Sequence, residues 1–362
     1  MEFALSDEQK LLEEALSGFL ADALPMERRR DIANTDTAHD KALWDGLVAQ
    51  GIAGLMAPER HGGSGLGVLD AAVVAEMLGY HAVPGRFAGS LVMAPLALQA
   101  SGTEAQQEDW LGRIASGEVR MAVGFGGTIG QTGRNSLSLD GDKLTGQLSR
   151  VLDGGAATHV LVYLADGRAV IAPLDQAGVK AGMVRSLDRT RPLMDVSFDG
   201  AQVTVLNAAN DAMAARGRVL DAGRVMLAAD SLGAARAMLD QAVAYAKERE
   251  QFGRVIGSFQ GVKHTLADMV TMLEPCRAFA WFAAHAQDAL PDEARLSALQ
   301  VKAHLDDVTR DVARHATEVH GGMGFTDLLG LHYWWKRIDS NRQLLGTPER
   351  LRHEAAVLQG WG

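Results

Sequence analysis

Apolar positions along the chain keep a helical period in two long stretches and switch to strict alternation between them. Ser6 and Gln9 have the spacing of a capping box, in which each side chain satisfies an orphan backbone donor at a helix start. From there Leu11, Leu12, Ala15, Leu16, Phe19 and Leu20 share one helical face until Pro25 ends the pattern. Further helices are predicted at about 37–50 and 68–80, and long Ala-, Leu- and Met-rich ones at about 211–249, 258–289 and 292–320. The intervening stretch alternates. Residues 136–139 meet Asp140-Gly141, residues 160–164 return through Asp166-Gly167 into 169–171, and residues 196–198 and 203–205 flank Asp199-Gly200. Asp-Gly pairs between alternating runs are hairpin turns, so this part reads as a small antiparallel β domain. The chain divides as 1–117 helical, 118–207 β and 208–362 helical, an α+β protein.

Length and composition narrow the class. A chain of 362 residues should build more than one core. Hydrophobic residues at 47% and charged residues at 22% are those of an ordinary soluble protein. A net charge of −10 argues against a broad nucleic-acid footprint, which would need a basic face. The longest weakly polar run, 88–100, is too short for a bilayer and contains Pro95. The acidic start, Met1-Glu2-Phe3-Ala4-Leu5-Ser6-Asp7-Glu8, lacks the basic opening of a signal peptide. Cys276 is the only cysteine, which excludes an internal disulfide and suits a reducing compartment. Following Pro275 in an alanine-rich helix, it reads as buried filler. His304, His315, His320 and His332 form no HExxH pair, and positions 315 and 320 diverge on a helix. The expectation is a cytoplasmic protein with no metal, membrane or nucleic-acid site.

Two segments carry candidate chemistry. Residues 57–67 read APERHGGSGLG. No Lys-Ser/Thr follows as in a P-loop and no strand precedes as in a Rossmann turn, so a structural turn is expected. Residues 245–269 read YAKEREQFGRVIGSFQGVKHTLADM. A helix ends near Glu250, Gly253 and Gly257 break the pattern, and another helix starts at Ser258-Phe259. A guanidinium, an amide and an aromatic ring gathered at such a break suit a pyrophosphate and an adenine. A helical hairpin with a solvated basic end is the alternative that this segment alone leaves open.

Together with Gly321-Gly322-Met323-Gly324, these segments resemble the acyl-CoA dehydrogenases over essentially the whole chain. The resemblance implies that family's fold: an N-terminal helical domain, a middle antiparallel β domain and a C-terminal four-helix-bundle-like domain. It implies FAD as cofactor, with Arg249, Gln251, Phe252, Ile256, Phe259 and Gln260 directed at the FAD of a neighbouring subunit. Gly321 and Gly322 would lie near that FAD's adenosine diphosphate. Glu318 stands where a glutamine is usual, and a carboxylate beside a pyrophosphate is unfavourable unless protonated or turned away.

The chain also departs from the family it resembles. The family's reaction removes an α-proton from an acyl-CoA thioester while a β-hydride passes to the flavin, so the protein must supply a base. Most members place a glutamate just before a Gly-Thr pair, where this chain has Leu345. A minority place it before an arginine on the first long C-terminal helix, where this chain has Gly223 before Arg224. No catalytic residue is therefore assigned. The family's Thr-Glu-Pro-x-Ala-Gly-Ser-Asp loop is replaced by residues 122–130, AVGFGGTIG, and its Trp-Ile-Thr/Ser wall by Arg150-Val151-Leu152. The losses fall on the chain's own flavin site, whereas the parts that would serve a neighbour's flavin are mostly kept. In this the chain resembles one member of the heteromeric α2β2 steroid side-chain acyl-CoA dehydrogenases of bacteria, as do residues 186–192, SLDRTRP. The implied partners are a second chain carrying the glutamate, a steroid or bile-acid acyl-CoA substrate, and electron-transfer flavoprotein or a similar acceptor. Two alternatives stay open: a self-sufficient enzyme with a displaced base at Asp221, Asp230 or Asp339, and a flavin-free structural or regulatory subunit.

Overall fold

A computed structural model describes residues 4–127 and 136–361. The capping box forms as read: the Ser6 amide donates to Gln9 and the Gln9 amide donates to Ser6. It starts α1 (Asp7–Ala23), which buries Leu16 and Leu20. After α2 (Met26–Ala33) and α3 (Lys41–Ala49), the glycine-rich segment turns through a short 3-10 helix at Glu59–His61. A Cβ added to Gly63 would stand 2.1 Å from the Ala57 carbonyl oxygen, so this glycine serves the packing of a turn. Next come α4 (Val68–Tyr80), a π-helical stretch at Ala88–Met93, α5 (Ala94–Ser101) and α6 (Glu104–Ala115).

Two four-stranded sheets follow, built from β1 (Met121–Phe125), β2 (Ser136–Asp140), β3 (Lys143–Val151), β4 (His159–Tyr163), β5 (Ala169–Pro173), β6 (Val179–Val184), β7 (Leu193–Gln202) and β8 (Thr204–Leu206). Their orders are β1-β4-β5-β8 and β2-β3-β7-β6. The β2–β3 and β4–β5 hairpins turn at the expected Asp-Gly pairs. The third expected hairpin does not form. β7 runs straight through Asp199-Gly200, and β8 joins the other sheet beside β5. The register of β3 and β7 jumps between Leu144 and Gly146, so an extra β7 residue is absorbed as a bulge, with Gly200 at φ +60°. β1 pairs with β4 in parallel, an exception to the otherwise antiparallel pairing of the named strands.

The helical part resumes with α7 (Ala212–Glu248), a short hairpin of β9 (Glu250–Gln251) and β10 (Arg254–Val255), α8 (Gln260–Ala289), α9 (Pro291–His320), α10 (His332–Gln343) and α11 (Pro348–Leu358). One apolar core draws on both helical regions, from Leu16 and Leu78 to Met226, Leu305 and Leu345, while the facing sheets enclose a second around Leu144, Val160 and Phe198. α4 and α7 cross in backbone contact. A Cβ on Gly79 would lie 1.9 Å from the Asp230 carbonyl oxygen, and one on Gly233 would lie 1.8 Å from that of Glu76. Among the described residues no helix is long and apolar enough to cross a membrane.

Beside that crossing the Asp230 carboxylate is enclosed. Arg191 approaches it at 2.6 Å, Arg337 at 2.7 Å and the Asn341 amide at 2.7 Å. Arg337 also donates to the Val83 carbonyl (2.8 Å) and the Thr190 hydroxyl (2.9 Å). Burial alone would raise the pKa of Asp230, but the charges of Arg191 and Arg337 prevail and bring it from 3.8 down to about 2. The charged form is thus favoured by folding. Its contribution, about 2 kcal/mol, should be complete above about pH 4 and lost as pH falls toward about 2, read as a falling denaturation midpoint. Asp230→Ala, which strands two buried guanidiniums, should cost about 3–5 kcal/mol and remove that acid limb.

Candidate functional site

α7 gives out at Glu248, and Arg249 takes an extended conformation at its C-cap. The sequence suggests a simple break here; the chain instead makes the two-residue hairpin of β9 and β10, with Gln251 opposite Arg254. Both central residues are left-handed, Phe252 at φ +54° and Gly253 at φ +77°. Glycine suits that geometry, but an aromatic residue there costs about 1–2 kcal/mol. Phe252 is nonetheless 93% exposed, its ring set edge-on to that of Phe259 with centroids 6.2 Å apart. Arg249 is exposed and forms no ion pair among the described residues. The Ile256 amide donates to the Arg249 carbonyl at 2.7 Å, which closes the hairpin onto the helix end.

Phe259 is the N-cap of α8 and offers no side-chain hydrogen bond, so the first amides of a 30-residue helix lack a side-chain cap. Gln260 opens that helix, exposed, and the exposed Gln251 amide donates to the Glu250 carbonyl. Arg254, which the sequence reading passes over, stacks 4.1 Å above the Phe259 ring.

The second glycine motif belongs to the same end of the bundle. The Tyr245 ring, one turn before Arg249, lies 4.6 Å from that of His320, the last residue of α9. Gly321 then reverses the chain at φ +59°, a conformation favouring glycine. A Cβ on Gly321 or Gly322 would meet nothing within 4 Å, which leaves this backbone open to a large group. Glu318 is exposed, with Arg314 4.0 Å away.

The two usual base positions converge on one spot, and hydrophobic side chains fill it. A Cβ on Gly223 would lie 2.6 Å from Met93 Sδ and 2.8 Å from Leu345 Cδ1. Leu345 is 2% exposed, and the buried Arg224 holds its carbonyl at 3.0 Å while pairing with Asp221 and Glu354. Met93, at the end of the π-helical stretch, carries no sequence signal for this placement. Nearby, Leu152 is bonded through its backbone to Val123, and Arg150 sits exposed at φ +58°. Asp153 accepts from the amides of Phe87 (3.0 Å) and Ser90 (2.8 Å), tying the β region to the π-helical stretch. Thr128, Ile129 and Gly130 of the altered loop lie outside the described residues.

The three acidic candidates separate. Asp230 is the ion-paired carboxylate described above. Asp339 is half exposed, 3.8 Å from Arg310. Burial pushes Asp221 up to about 6 against the charges of Arg224 and Arg295, both of which it pairs with. Cys276 is buried, its thiol raised to about 11 by burial. Among the described residues no three His, Cys, Asp or Glu side chains gather as metal ligands.

Comparison with known proteins matches residues 6–118 to the profile "Acyl-CoA dehydrogenase, N-terminal domain" and residues 210–356 to "Acyl-CoA dehydrogenase, C-terminal domain". The chain is similar to acyl-CoA dehydrogenase IpdE2 of Mycolicibacterium smegmatis, at 29% identity over 98% of this chain and 100% of that one. It is 33% identical to acyl-CoA dehydrogenase FadE34 of Mycobacterium tuberculosis over 88% of this chain, and spans 42% of that longer protein. Among solved structures, a variant of the Tcur3481-Tcur3483 steroid ACAD superposes with a TM-score of 0.88 at 28% identity, over 98% of each chain.

The filled spot can be tested directly. Gly223→Ala should lose about 1–3 kcal/mol of stability in chemical denaturation, because the new methyl meets Met93 and Leu345. In a Leu345→Ala background the same change should cost much less. Equal costs in both backgrounds would mean that these side chains do not share the spot.

Proposed function

The chain belongs to the acyl-CoA dehydrogenase family, FAD-dependent oxidoreductases that act on CH–CH groups, and from that premise we propose that it works in trans. On this reading it is one chain of a heteromeric acyl-CoA dehydrogenase, holding the diphosphate and adenine of a partner chain's FAD. The observation that carries the reading is a contrast. Arg249 and Phe252 project unpaired from the bundle end, Phe252 in a strained conformation, while the Gly223–Leu345 spot is packed with Met93. Strain retained at an exposed residue is a reason to look for a role outside the fold.

The residues fit one half of the cofactor. Arg249, the uncapped start of α8 and the open Gly321-Gly322 backbone suit an anionic diphosphate, and Phe252 and Phe259 suit an adenine face. Ile256, Gln251 and Gln260 border them, and Glu318 stands off beside Arg314. The ring half is poorly served: Arg150 and Leu152 supply neither an aromatic wall nor a hydroxyl. Bound flavin would supply the hydride acceptor for the substrate's β-carbon. The α-proton then needs a base, which neither Gly223 nor Leu345 offers, so the glutamate is assigned to the partner chain. An α2β2 assembly of this kind has two sites rather than four. Likeness to a steroid ACAD supports a steroid or bile-acid side-chain acyl-CoA as substrate, and the same proposal takes electron-transfer flavoprotein or a similar carrier as acceptor and the cytoplasm as its setting.

A displaced base is the weaker reading. Asp230 is committed to two arginines at a pKa of about 2, Asp221 is ion-paired beside Arg224, and Asp339 faces solvent. A flavin-free subunit would have no use for the strained Phe252 hairpin.

Expressed alone, the chain should be colourless, and co-expressed with its partner chain it should give a yellow complex with a flavin absorbance band. A yellow preparation of this chain alone that oxidises acyl-CoA would refute the trans reading. In the complex, Arg249→Ala should weaken FAD retention by about 10–100-fold, as measured by flavin release on dilution, and unchanged retention would remove Arg249 from the clamp.

A further inference from the structure

The hairpin that closes onto the end of α7 sorts its side chains by register. Gln251 stands opposite Arg254, and Glu250 opposite Val255. Residues facing each other across a hairpin point to the same side, and neighbours along a strand point to opposite sides. The extended Arg249 precedes Glu250, and its carbonyl accepts from the Ile256 amide. Arg249, Gln251, Arg254 and Ile256 therefore share one face of the hairpin, and Glu250 is turned to the other with Val255. Arg249, Gln251 and Ile256 are the residues already placed around the cofactor. Arg254 completes their face and brings a second positive charge to it.

Phe259 fixes where that charge sits. The Arg254 Cζ stands 4.1 Å from the Phe259 ring centroid, whereas the other arginine–ring contacts of the described residues lie at 4.8 Å or more. A stacked guanidinium gives up its flat face and keeps its in-plane N–H donors. Arg254 is exposed, and among the described residues its side chain has neither an ion pair nor a hydrogen bond, so those donors are free. Lys247, in the last turn of α7, is also exposed, but no ring holds it among the described residues. The diphosphate of a dinucleotide carries two negative charges. Arg249 answers one of them, and a planar donor group already held in place is the matching group for the other.

We infer that Arg254 is the second cation of the clamp, held by the Phe259 ring so that its free N–H donors meet the diphosphate beside Arg249. This rests on the trans reading of the hairpin and adds to it a residue that fixes the cofactor's charge.

Release of FAD from the complex with the partner chain, followed by flavin fluorescence on dilution over a range of salt, tests the assignment. Arg254→Gln should release FAD about tenfold faster, and its release should respond less steeply to salt, because one screened charge contact is gone. Arg254→Lys keeps the charge and loses the flat stack, so it should recover the salt response and part of the retention. Lys247→Gln should change neither. Unchanged release in Arg254→Gln, with faster release in Arg249→Ala, would overturn the role of Arg254 and leave the clamp standing. Unchanged release in both would bring down the trans reading, and this inference with it. If Arg254→Lys lost FAD as fast as Arg254→Gln, with the same shallow salt response, the stack and not the charge would matter, which overturns the inference. Equal losses in Lys247→Gln and Arg254→Gln would overturn it too, by assigning the effect to the general field of the surface.

Discussion

A single buried carboxylate governs how the parts of this chain meet. Asp230 sits on α7 where the N-terminal helices, the β6–β7 connection and α10 come together, and each contributes to its enclosure. Arg191 and Arg337 neutralise it, Asn341 adds an amide, and Arg337 reaches on to Val83 and Thr190. Such a cluster adds little net stability compared with an apolar replacement, but it is intolerant of misplacement, because any partner that moves leaves a buried charge exposed to low dielectric. The glycine crossing of α4 and α7 lets the backbones approach closely enough for these reaches to be made. α10, held by Arg337 and Asn341, leads directly into the turn at Leu345. The geometry of the filled base position is thus set partly by a salt bridge that takes no part in it.

The elements that announce themselves in the sequence are those whose buried faces are apolar. α1, α4 and the three long C-terminal helices repeat their hydrophobic positions at helical spacing, and all fall near the expected ranges. α2 and α10 do not, because polar residues are mixed into their inward faces: α2 buries Arg29 beside Ile32, with Arg29 4.9 Å from the Trp334 ring, and α10 buries Arg337 and Asn341 beside Trp334 and Ile338. Their apolar stripe is interrupted by guanidiniums whose partners come from distant parts of the chain. The β region shows the complementary difficulty. Asp-Gly marks a place where the backbone can turn left-handed, but at Gly200 the same freedom makes a bulge, and only strand register distinguishes the two outcomes.

The candidate site was legible as chemistry and illegible as geometry. That Leu345 and Gly223 cannot accept a proton follows from their identity. That they face each other with Met93 beside them depends on a π-helical stretch whose widened turn leaves no periodic trace. Asp221, Asp230 and Asp339 look alike as letters, and only burial and partners separate them. The Phe252 hairpin runs against turn preference, since Phe-Gly is no usual pair for two left-handed residues, so sequence rules alone would place a plain break there.

The shared helical core has a consequence for how the chain is made. Leu16 and Leu20 near its start pack in one core with Met226, Leu305 and Leu345. During synthesis the first helices emerge long before the segments that cover them, while the sheets, with their own core, complete in between. α1 can pack on α4 once both have emerged, but the apolar face that α4 gives to α7 and α8 stays uncovered until those helices follow. This order leaves an apolar face of the nascent chain open until the C-terminal helices are made, the condition under which chaperones hold a chain.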